Sequence, residues 1–352
     1  MPRGEVSTGV LMPSAKRAGP ALGRRSPAPV VLHSAPLVVP VCTVPIRDGA
    51  VAIRGERVLA VGPRAELLPS YPSAEELRWP GMIVAGLVDA CSAVPSDAPG
   101  VTARGGVLSD LTDCSALRIS YVEVISAGEE EWEEHDRDAV ITAIREVDRP
   151  CVVGIAAHAR DPQVLEDVAV LARTFGLRLL VRLDRHSPVE LDEAGVLGPL
   201  CHVASGRSLD PGERKLLRLR RTVVALCPPE PSQAQDALAL LEEGNTVAFG
   251  SRGPAGAPPT GPLGLAGAIR RHARELRPRP RELDRRLVEA ATLGGARALG
   301  MDRGRGRIGS LAAGTRADFA VFDARGRYPY AALLSQPPCL ATVVGGVLTR
   351  GA

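Results

Sequence analysis

The sequence predicts an α/β protein in which a domain of parallel strands is inserted into a small β domain. Strand-like and helix-like segments alternate strictly over the middle of the chain, and both ends of the chain contain short strands instead. At 352 residues, the chain is long enough for one large α/β domain and one small accessory domain. Strict alternation implies parallel strands joined by right-handed crossovers, so a (β/α) barrel and a doubly wound sheet both satisfy the pattern.

The two ends of the chain supply the β-rich segments. Residues 1–29 are rich in Pro, Gly, Ser and Arg without periodicity, which predicts a disordered tail. Residues 30–86 contain apolar runs separated by the turn signals Asp48-Gly49 and Gly55-Glu56, a pattern typical of hairpins. Residues 304–352 again contain short strand-like segments. We therefore predict one discontinuous β domain made of 30–86 and 304–352, with residues 87–303 inserted as the α/β domain.

The inserted segment has clear helix boundaries. After the strand CVVGIAA, Asp161-Pro162 predicts a helix start and Gly176 its end. A second helix is predicted from Asp210-Pro211, with Glu213 completing a capping box. Between the first strand of this domain and CVVGIAA, the sequence predicts one strand, RISYVEVIS, and one helix, RDAVITAIREV.

Composition excludes several classes of protein. Aromatic residues make up 3% and the net charge is +3, which argues against nucleic-acid binding by base stacking or by a phosphate-binding surface. No stretch offers eighteen uncharged apolar residues and the amino terminus has no apolar leader core, so we expect no membrane span and a cytoplasmic location. The seven cysteines are scattered without a CxxC pair, which predicts reduced thiols.

Four stretches resemble the metal-dependent amidohydrolase superfamily, in its aminodeoxyfutalosine deaminase and imidazolonepropionase branch. They are IRDGAVAIRGERVLAVGP, GMIVAGLVDACSAV, GIAAHARDPQVLEDVAVLARTFGLRLLVRLDR and AATLGGARALGMDRGRGRIGSLAAGTRADFAVFD. The resemblance implies a distorted TIM barrel flanked by a composite β-sandwich built from both chain ends. Only roughly sixty residues separate the first barrel strand from GIAAHA, whereas a TIM barrel takes about 250 in all. We therefore expect a trimmed or irregular first half.

The resemblance also implies where a metal would bind. Active relatives use zinc or iron to activate water. The family's His-x-His falls on Cys91 and Ala93, the His and Glu of its fifth-strand motif fall on Arg182 and Arg185, and the Asp of its last barrel strand falls on Arg252. Guanidinium groups repel a dication and donate no lone pairs. We therefore expect no metal cofactor and a catalytically degenerate protein.

Two histidines match other functional positions of the family. His158 falls on a histidine that contacts substrate, and His202 falls on the sixth-strand histidine that polarises substrate, which makes His202 the candidate catalytic residue. Both are predicted at the carboxyl ends of strands, where barrel sites are built. Arg182, Arg185 and Arg252 either form a cationic mouth for a carboxylate or phosphate, or each pairs with a nearby carboxylate such as Asp184, Glu190 or Asp89.

Three hypotheses of function remain open from the sequence. The first is a degenerate homologue that binds an anionic or nucleoside-like small molecule, or that forms homo- or hetero-oligomers with an active relative. The second is an active hydrolase or deaminase acting on carbon–nitrogen bonds other than peptide bonds, with Asp89, Asp184 or His186 as displaced metal ligands. The third is a purely structural subunit. Whether the chain is an enzyme is thus undecided at this level.

Overall fold

Strands from the two ends of the chain form one eight-stranded sheet. The computed structural model describes residues 28–92, 98–107, 117–146, 152–227, 233–251, 261–274 and 281–351. The strands of this sheet are β1 (Val30–Val39), β2 (Ile46–Arg54), β3 (Arg57–Pro63), β4 (Glu75–Arg78), β5 (Met82–Ala85), β14 (Phe319–Phe322), β15 (Cys339–Val344) and β16 (Val347–Gly351). Their order is β16-β15-β14-β5-β1-β2-β3, with β4 paired to β1.

The junction between the two ends is the antiparallel pair β5 and β14. Val84 lies opposite Ala320 in this ladder, and every residue of both strands is buried. Both strands consist of consecutive apolar residues, a composition typical of strands covered on both faces. A sheet domain built from both chain ends, as predicted, is therefore present, and its ladder is continuous rather than divided.

One predicted turn lies elsewhere. The Gly55-Glu56 turn is confirmed, because Gly55 has a positive φ of 54° between β2 and β3. The Asp48-Gly49 turn is wrong, since both residues lie inside β2 and the connection from β1 is made by residues 40–45. Asp48 has φ of 39°, and a Cβ on Gly49 would lie 2.8 Å from Val38 Cγ2. The turn-forming pair thus marks a local distortion in a strand.

The inserted segment forms eight parallel strands in chain order. They are β6 (Leu87–Ser92), β7 (Val101–Val107), β8 (Leu117–Val124), β9 (Val152–Ala157), β10 (Arg178–Arg182), β11 (Cys201–Ser205), β12 (Val223–Leu226) and β13 (Val247–Phe249). The ladder runs from β6 to β13, and β13 lies against β6, which makes a nearly closed TIM barrel. The predicted barrel is confirmed.

The first half of the barrel keeps its full number of strands. The expected trimming is limited to the lengths of the connections, because eight residues separate β6 from β7 and nine separate β7 from β8. The sequence reading missed β7, whose residues VTARGGV include an arginine and two glycines. Gly105 leaves room for Leu299, because a Cβ at this position would lie 2.5 Å from Leu299 Cδ2.

The helices are α1 (Arg64–Ser70), α2 (Glu129–Glu131), α3 (Arg137–Glu146), α4 (Pro162–Phe175), α5 (Pro188–Glu193), α6 (Pro211–Leu219), α7 (Gln233–Glu242), α8 (Pro262–Ala273), α9 (Leu283–Glu289), α10 (Gly295–Ala298) and α11 (Pro329–Leu333). Single π-helical turns connect α2 to α3 (Trp132–Asp136) and α9 to α10 (Ala290–Gly294). The predicted caps are confirmed: the Asp161 carboxylate accepts from Gln163 N, and Asp210 and Glu213 form a capping box.

The amino-terminal end of the barrel is filled by α10. Arg178, at the start of β10, donates hydrogen bonds to the carbonyl oxygens of Pro199, Arg297 and Ala298 at 2.6, 3.1 and 2.5 Å. Leu299 packs in the same apolar cluster as Tyr121 inside the barrel. The carboxyl ends of the strands are therefore the end at which a ligand would enter. Within the residues that the structure describes, no helix is both long and apolar enough to cross a membrane.

Candidate functional site

Asp89 connects the first and last strands of the barrel. Its Oδ1 accepts hydrogen bonds from Ser251 N at 2.9 Å and from Cys91 N at 3.2 Å. The side chain is fully buried, and burial raises the pKa of this carboxyl, against the lowering effect of the Ser251 hydrogen bonds. Asp89 therefore closes the barrel, because it holds Ser251, two residues after β13, against β6.

Cys91 occupies a tightly packed position on β6. The residue is 1% exposed and belongs to an apolar cluster with Ala103, Tyr121 and Cys227. A Cβ on Gly250 would lie 2.9 Å from both Cys91 Cβ and Cys227 Sγ. A thiol in such surroundings behaves as a small apolar side chain. Ala93, the second aligned position on this strand, lies outside the described residues.

The aligned arginines have separate partners. Arg182, at the end of β10, forms a forked ion pair with Asp184, in which Nε lies 3.0 Å from Oδ1 and Nη2 contacts Oδ2. Arg185 donates from Nη1 to the carbonyl oxygen of His158 at 3.4 Å. Arg252 lies outside the described residues. The predicted cationic mouth of three arginines therefore remains a prediction.

His158 follows β9 directly, at the carboxyl end of the strand as predicted. Its Nδ1 lies 2.6 Å from Oε1 of Glu123, and its side chain is 1% exposed. Since a carboxylate accepts, the ring donates from Nδ1. Burial lowers the pKa of His158, and the Glu123 carboxylate opposes that shift. The neutral ring thus presents a lone pair at Nε2, which has no hydrogen-bond partner among the described residues.

Glu123 is the residue that sequence reasoning missed. It lies one position before the end of β8, and its side chain is 39% exposed. A signal was available in RISYVEV, because alternate positions of a strand face the same side and Glu123 shares its face with Tyr121. The predicted barrel makes these two strands neighbours, but their sequence pattern does not show that the Glu123 side chain reaches the ring of His158.

His202 lies deeper in the barrel than predicted. It is the second residue of five in β11 and not at its carboxyl end, so that expectation is wrong. Its Nε2 lies 3.1 Å from the carbonyl oxygen of Ala90, and its ring meets Tyr121 edge to face at 5.7 Å between centroids. Complete burial, with a smaller contribution from Arg178, lowers its pKa to about 3. A neutral histidine hydrogen-bonded to the backbone is therefore fixed here.

The three residues that could act as displaced metal ligands lie in different environments. Asp89 closes the barrel, Asp184 pairs with Arg182, and His186 lines a separate cavity. Over the described residues no group of three His, Cys, Asp or Glu side chains is placed to hold a metal ion. Zinc sites take at least three protein ligands. The donors that the structure describes do not fit a zinc or iron site.

Sequence comparisons identify the family. Residues 218–350 match the amidohydrolase family model, and residues 49–74 match the imidazolonepropionase-like composite domain of bacteria. The chain belongs to the amidohydrolase superfamily. This amidohydrolase homologue is also 29% identical over 187 residues to a 5-methylthioadenosine/S-adenosylhomocysteine deaminase of Natronomonas pharaonis. That match covers 48% of the chain and 38% of the relative, so the chain matches well under half of that protein's length.

Solved structures share the fold of this amidohydrolase homologue at low identity. An adenosine deaminase from Xanthomonas campestris with bound zinc has a TM-score of 0.75 at 19% identity, covering 93% of this chain and 94% of that one. The aminofutalosine deaminase of Helicobacter pylori has a TM-score of 0.72 at 14% identity, covering 91% and 100%. The likeness extends over both the barrel and the sheet of the chain ends.

Proposed function

We propose that this amidohydrolase homologue is a binding scaffold that holds a nucleoside-like molecule without hydrolysing it. The molecule binds in the barrel mouth, which is the opening at the carboxyl ends of the barrel strands. One observation supports the loss of hydrolysis above the others. Where the family has a metal-binding histidine, Arg182 holds Asp184 in a forked ion pair. The fork gives the guanidinium a stable partner at that strand end, so a dication would have to displace an existing pair and bind beside a positive charge.

The pair of Glu123 and His158 supports retained binding. A buried polar atom without a partner is costly, by about 1–3 kcal/mol. Nε2 of His158 is such an atom, and as the lone-pair side of a neutral ring it accepts a hydrogen bond from an N–H or O–H group. A nucleoside carries both groups, on its base and on its sugar. The curated relative is named a 5-methylthioadenosine/S-adenosylhomocysteine deaminase, and the two solved structures are named adenosine deaminase and aminofutalosine deaminase.

Metal content and turnover test the loss of hydrolysis. The purified chain is incubated with zinc or iron, desalted, and analysed for metal by mass spectrometry. Ammonia release is then followed with adenosine, 5′-methylthioadenosine and S-adenosylhomocysteine. We expect metal content well below one ion per chain and no ammonia release above a protein-free control. Stoichiometric tightly held metal together with turnover would overturn the proposal in favour of an active deaminase.

Calorimetric titration with the same three molecules tests retained binding. We expect at least one to bind, and His158→Gln to weaken that binding roughly tenfold, the effect of about 1.4 kcal/mol from one lost hydrogen bond. His135→Gln, at an exposed histidine in the turn between α2 and α3, is the matched control and should leave binding unchanged. Binding that His158→Gln does not alter would place the ligand elsewhere.

A further inference from the structure

A second cavity lies beside the barrel mouth, between the amino-terminal end of α4 and α5. Its volume is about 450 Å³, within the range of small-molecule sites. Arg160 and Arg185 line it from the segments that follow β9 and β10, and Leu165 contributes a buried apolar surface. Nothing in the proposed function of the barrel mouth uses this cavity.

The two guanidinium groups of this cavity lack carboxylate partners among the described residues. Arg185 has only the long contact to the His158 carbonyl oxygen, and Arg160 forms no hydrogen bond or ion pair there. Elsewhere in this chain guanidinium groups form ion pairs with carboxylates, as Arg207 does with Glu213 and Arg220 with Asp192. Two arginines left without one in a single cavity are therefore available to an anionic group.

Three glutamates line the same cavity, and one of them, Glu190, forms the capping box of α5 with Ser187. Glu166 and Glu193 are exposed, and within the described part of the chain neither forms an ion pair or a hydrogen bond. They share the cavity with Arg160 and Arg185 without pairing to them. The cavity thus presents separated positive and negative groups, an arrangement that is complementary to a molecule with both charges.

His186 also lines this cavity, and it has a buried ring nitrogen. The residue is 6% exposed, and its Nε2 is buried with no hydrogen-bond partner in the described structure. A buried polar group without a partner is rare in folded proteins, and each such group calls for an explanation such as a bound molecule. A ligand that hydrogen-bonds to Nε2 would supply that missing partner.

We infer that this cavity binds a small zwitterion of the α-amino acid class. Its carboxylate lies between Arg160 and Arg185, its ammonium group faces Glu166 and Glu193, and its apolar side chain packs on Leu165. A dianion such as phosphate is disfavoured, because the unpaired glutamates would repel it.

Calorimetric titration of the full chain with blocked and unblocked ligands tests the inference. The probes are the standard amino acids, beginning with L-leucine, together with N-acetyl-L-leucine, L-leucinamide and inorganic phosphate. We expect L-leucine or another apolar amino acid to bind. Removing either charge, as in N-acetyl-L-leucine or L-leucinamide, should weaken binding roughly tenfold or more. Binding of none of the amino acids, or phosphate binding more tightly than all of them, would overturn the inference.

Variants locate the binding. The double variant Arg160→Gln/Arg185→Gln should lose the titration signal, whereas Arg78→Gln, at an exposed ion-paired arginine of the sheet formed by the chain ends, should keep it. His158→Gln should also keep it, which separates this cavity from the barrel mouth. Both arginines of the double variant are exposed, so the fold should survive, and circular dichroism checks this. Amino-acid binding that persists in the double variant places the ligand elsewhere and overturns the inference.

Discussion

Oε1 of Glu123 lies 2.6 Å from Nδ1 of His158, which fixes the histidine ring at the carboxyl ends of β8 and β9. The contact selects the tautomer, because the carboxylate accepts the proton of Nδ1 and leaves a lone pair on Nε2. The orientation and tautomer of His158 therefore depend on a residue 35 positions earlier in the chain.

Glu123→Gln should lower the pKa of His158. Glu123 is the group that raises this pKa against burial and the nearby Arg185 and Arg182 charges, so its removal leaves only lowering effects. Nucleoside binding should weaken roughly threefold to tenfold, since the ring loses its orienting partner. Histidine ring signals followed by NMR over a pH series measure the pKa. Glu133→Gln, at an exposed pair with Arg137, is the control. An unchanged or raised His158 pKa would contradict the prediction.

His202→Gln should reduce the acid sensitivity of the fold. The pKa of His202 is about 3 in the folded chain and about 6.5 when unfolded. Between these values only the unfolded chain binds the proton, so stability is lost as the pH falls, by about 1.4 kcal/mol per unit.

Urea unfolding at pH 6.5 and 5.0 measures this loss. The original chain should lose about 2 kcal/mol more than His202→Gln over that interval. Buried Asp89 and His33 are present in both proteins, so their own pH effects cancel in the difference. His135→Gln should behave like the original chain. Equal losses in all three proteins would contradict the prediction.

Gly250→Ala should destabilise the protein by about 1–3 kcal/mol. The added Cβ would lie 2.9 Å from the carbonyl oxygen and Cβ of Cys91 and from Cys227 Sγ, at the point where β13 meets β6. Two of these atoms belong to rigid strand positions and cannot move aside freely. Gly198→Ala is the matched control, because its Cβ would meet nothing within 4 Å. A midpoint of thermal unfolding that shifts equally for both variants would show that the contact between β13 and β6 is not tightly packed.

Asp161→Ala should cost about 1 kcal/mol of unfolding free energy. The Asp161 side chain accepts a hydrogen bond from Gln163 N at 2.8 Å and is the amino-terminal cap of α4. Asp161→Asn retains an accepting oxygen and should cost much less. Urea denaturation distinguishes the two. A loss in Asp161→Asn as large as in Asp161→Ala would indicate that the charge, and not the cap, is what stabilises α4.

Local signals in the sequence predicted much of the barrel, and non-local ones did not. The caps at Asp161, Asp210 and Gly176 were readable because capping depends on residues within one turn. Strand β7 was not, because its Arg104 and glycines lower its β propensity and only its place between β6 and β8 makes it a strand. The turn predicted at Asp48-Gly49 was wrong because the same two residues are compatible with a turn and with a distorted strand.

The sequence predicted the positions of the candidate site residues along the strands better than the contacts between their side chains. The sequence placed His158 at the end of a strand, which the structure confirms, and offered Asp184 among the carboxylates that could pair with the arginines. It could not assign Glu123 to His158, nor show that Arg160 and Arg185 line one cavity, because a predicted strand order does not specify which side chains meet beyond the strand ends. The depth of His202 was missed because β11 continues three residues beyond it, to Ser205, and no local signal marks that end.

The pairing of β5 with β14 also sets an order for biosynthesis. Met82 and Phe322 are ladder partners although 240 residues separate them in the chain. At about 5–20 residues per second, a ribosome needs roughly ten seconds or more to make the intervening chain. During that interval one edge of β5, entirely apolar, has no strand beside it. The nascent protein therefore exposes an unpaired apolar strand edge until Phe319–Phe322 is synthesised, and an edge of this kind can pair with another chain.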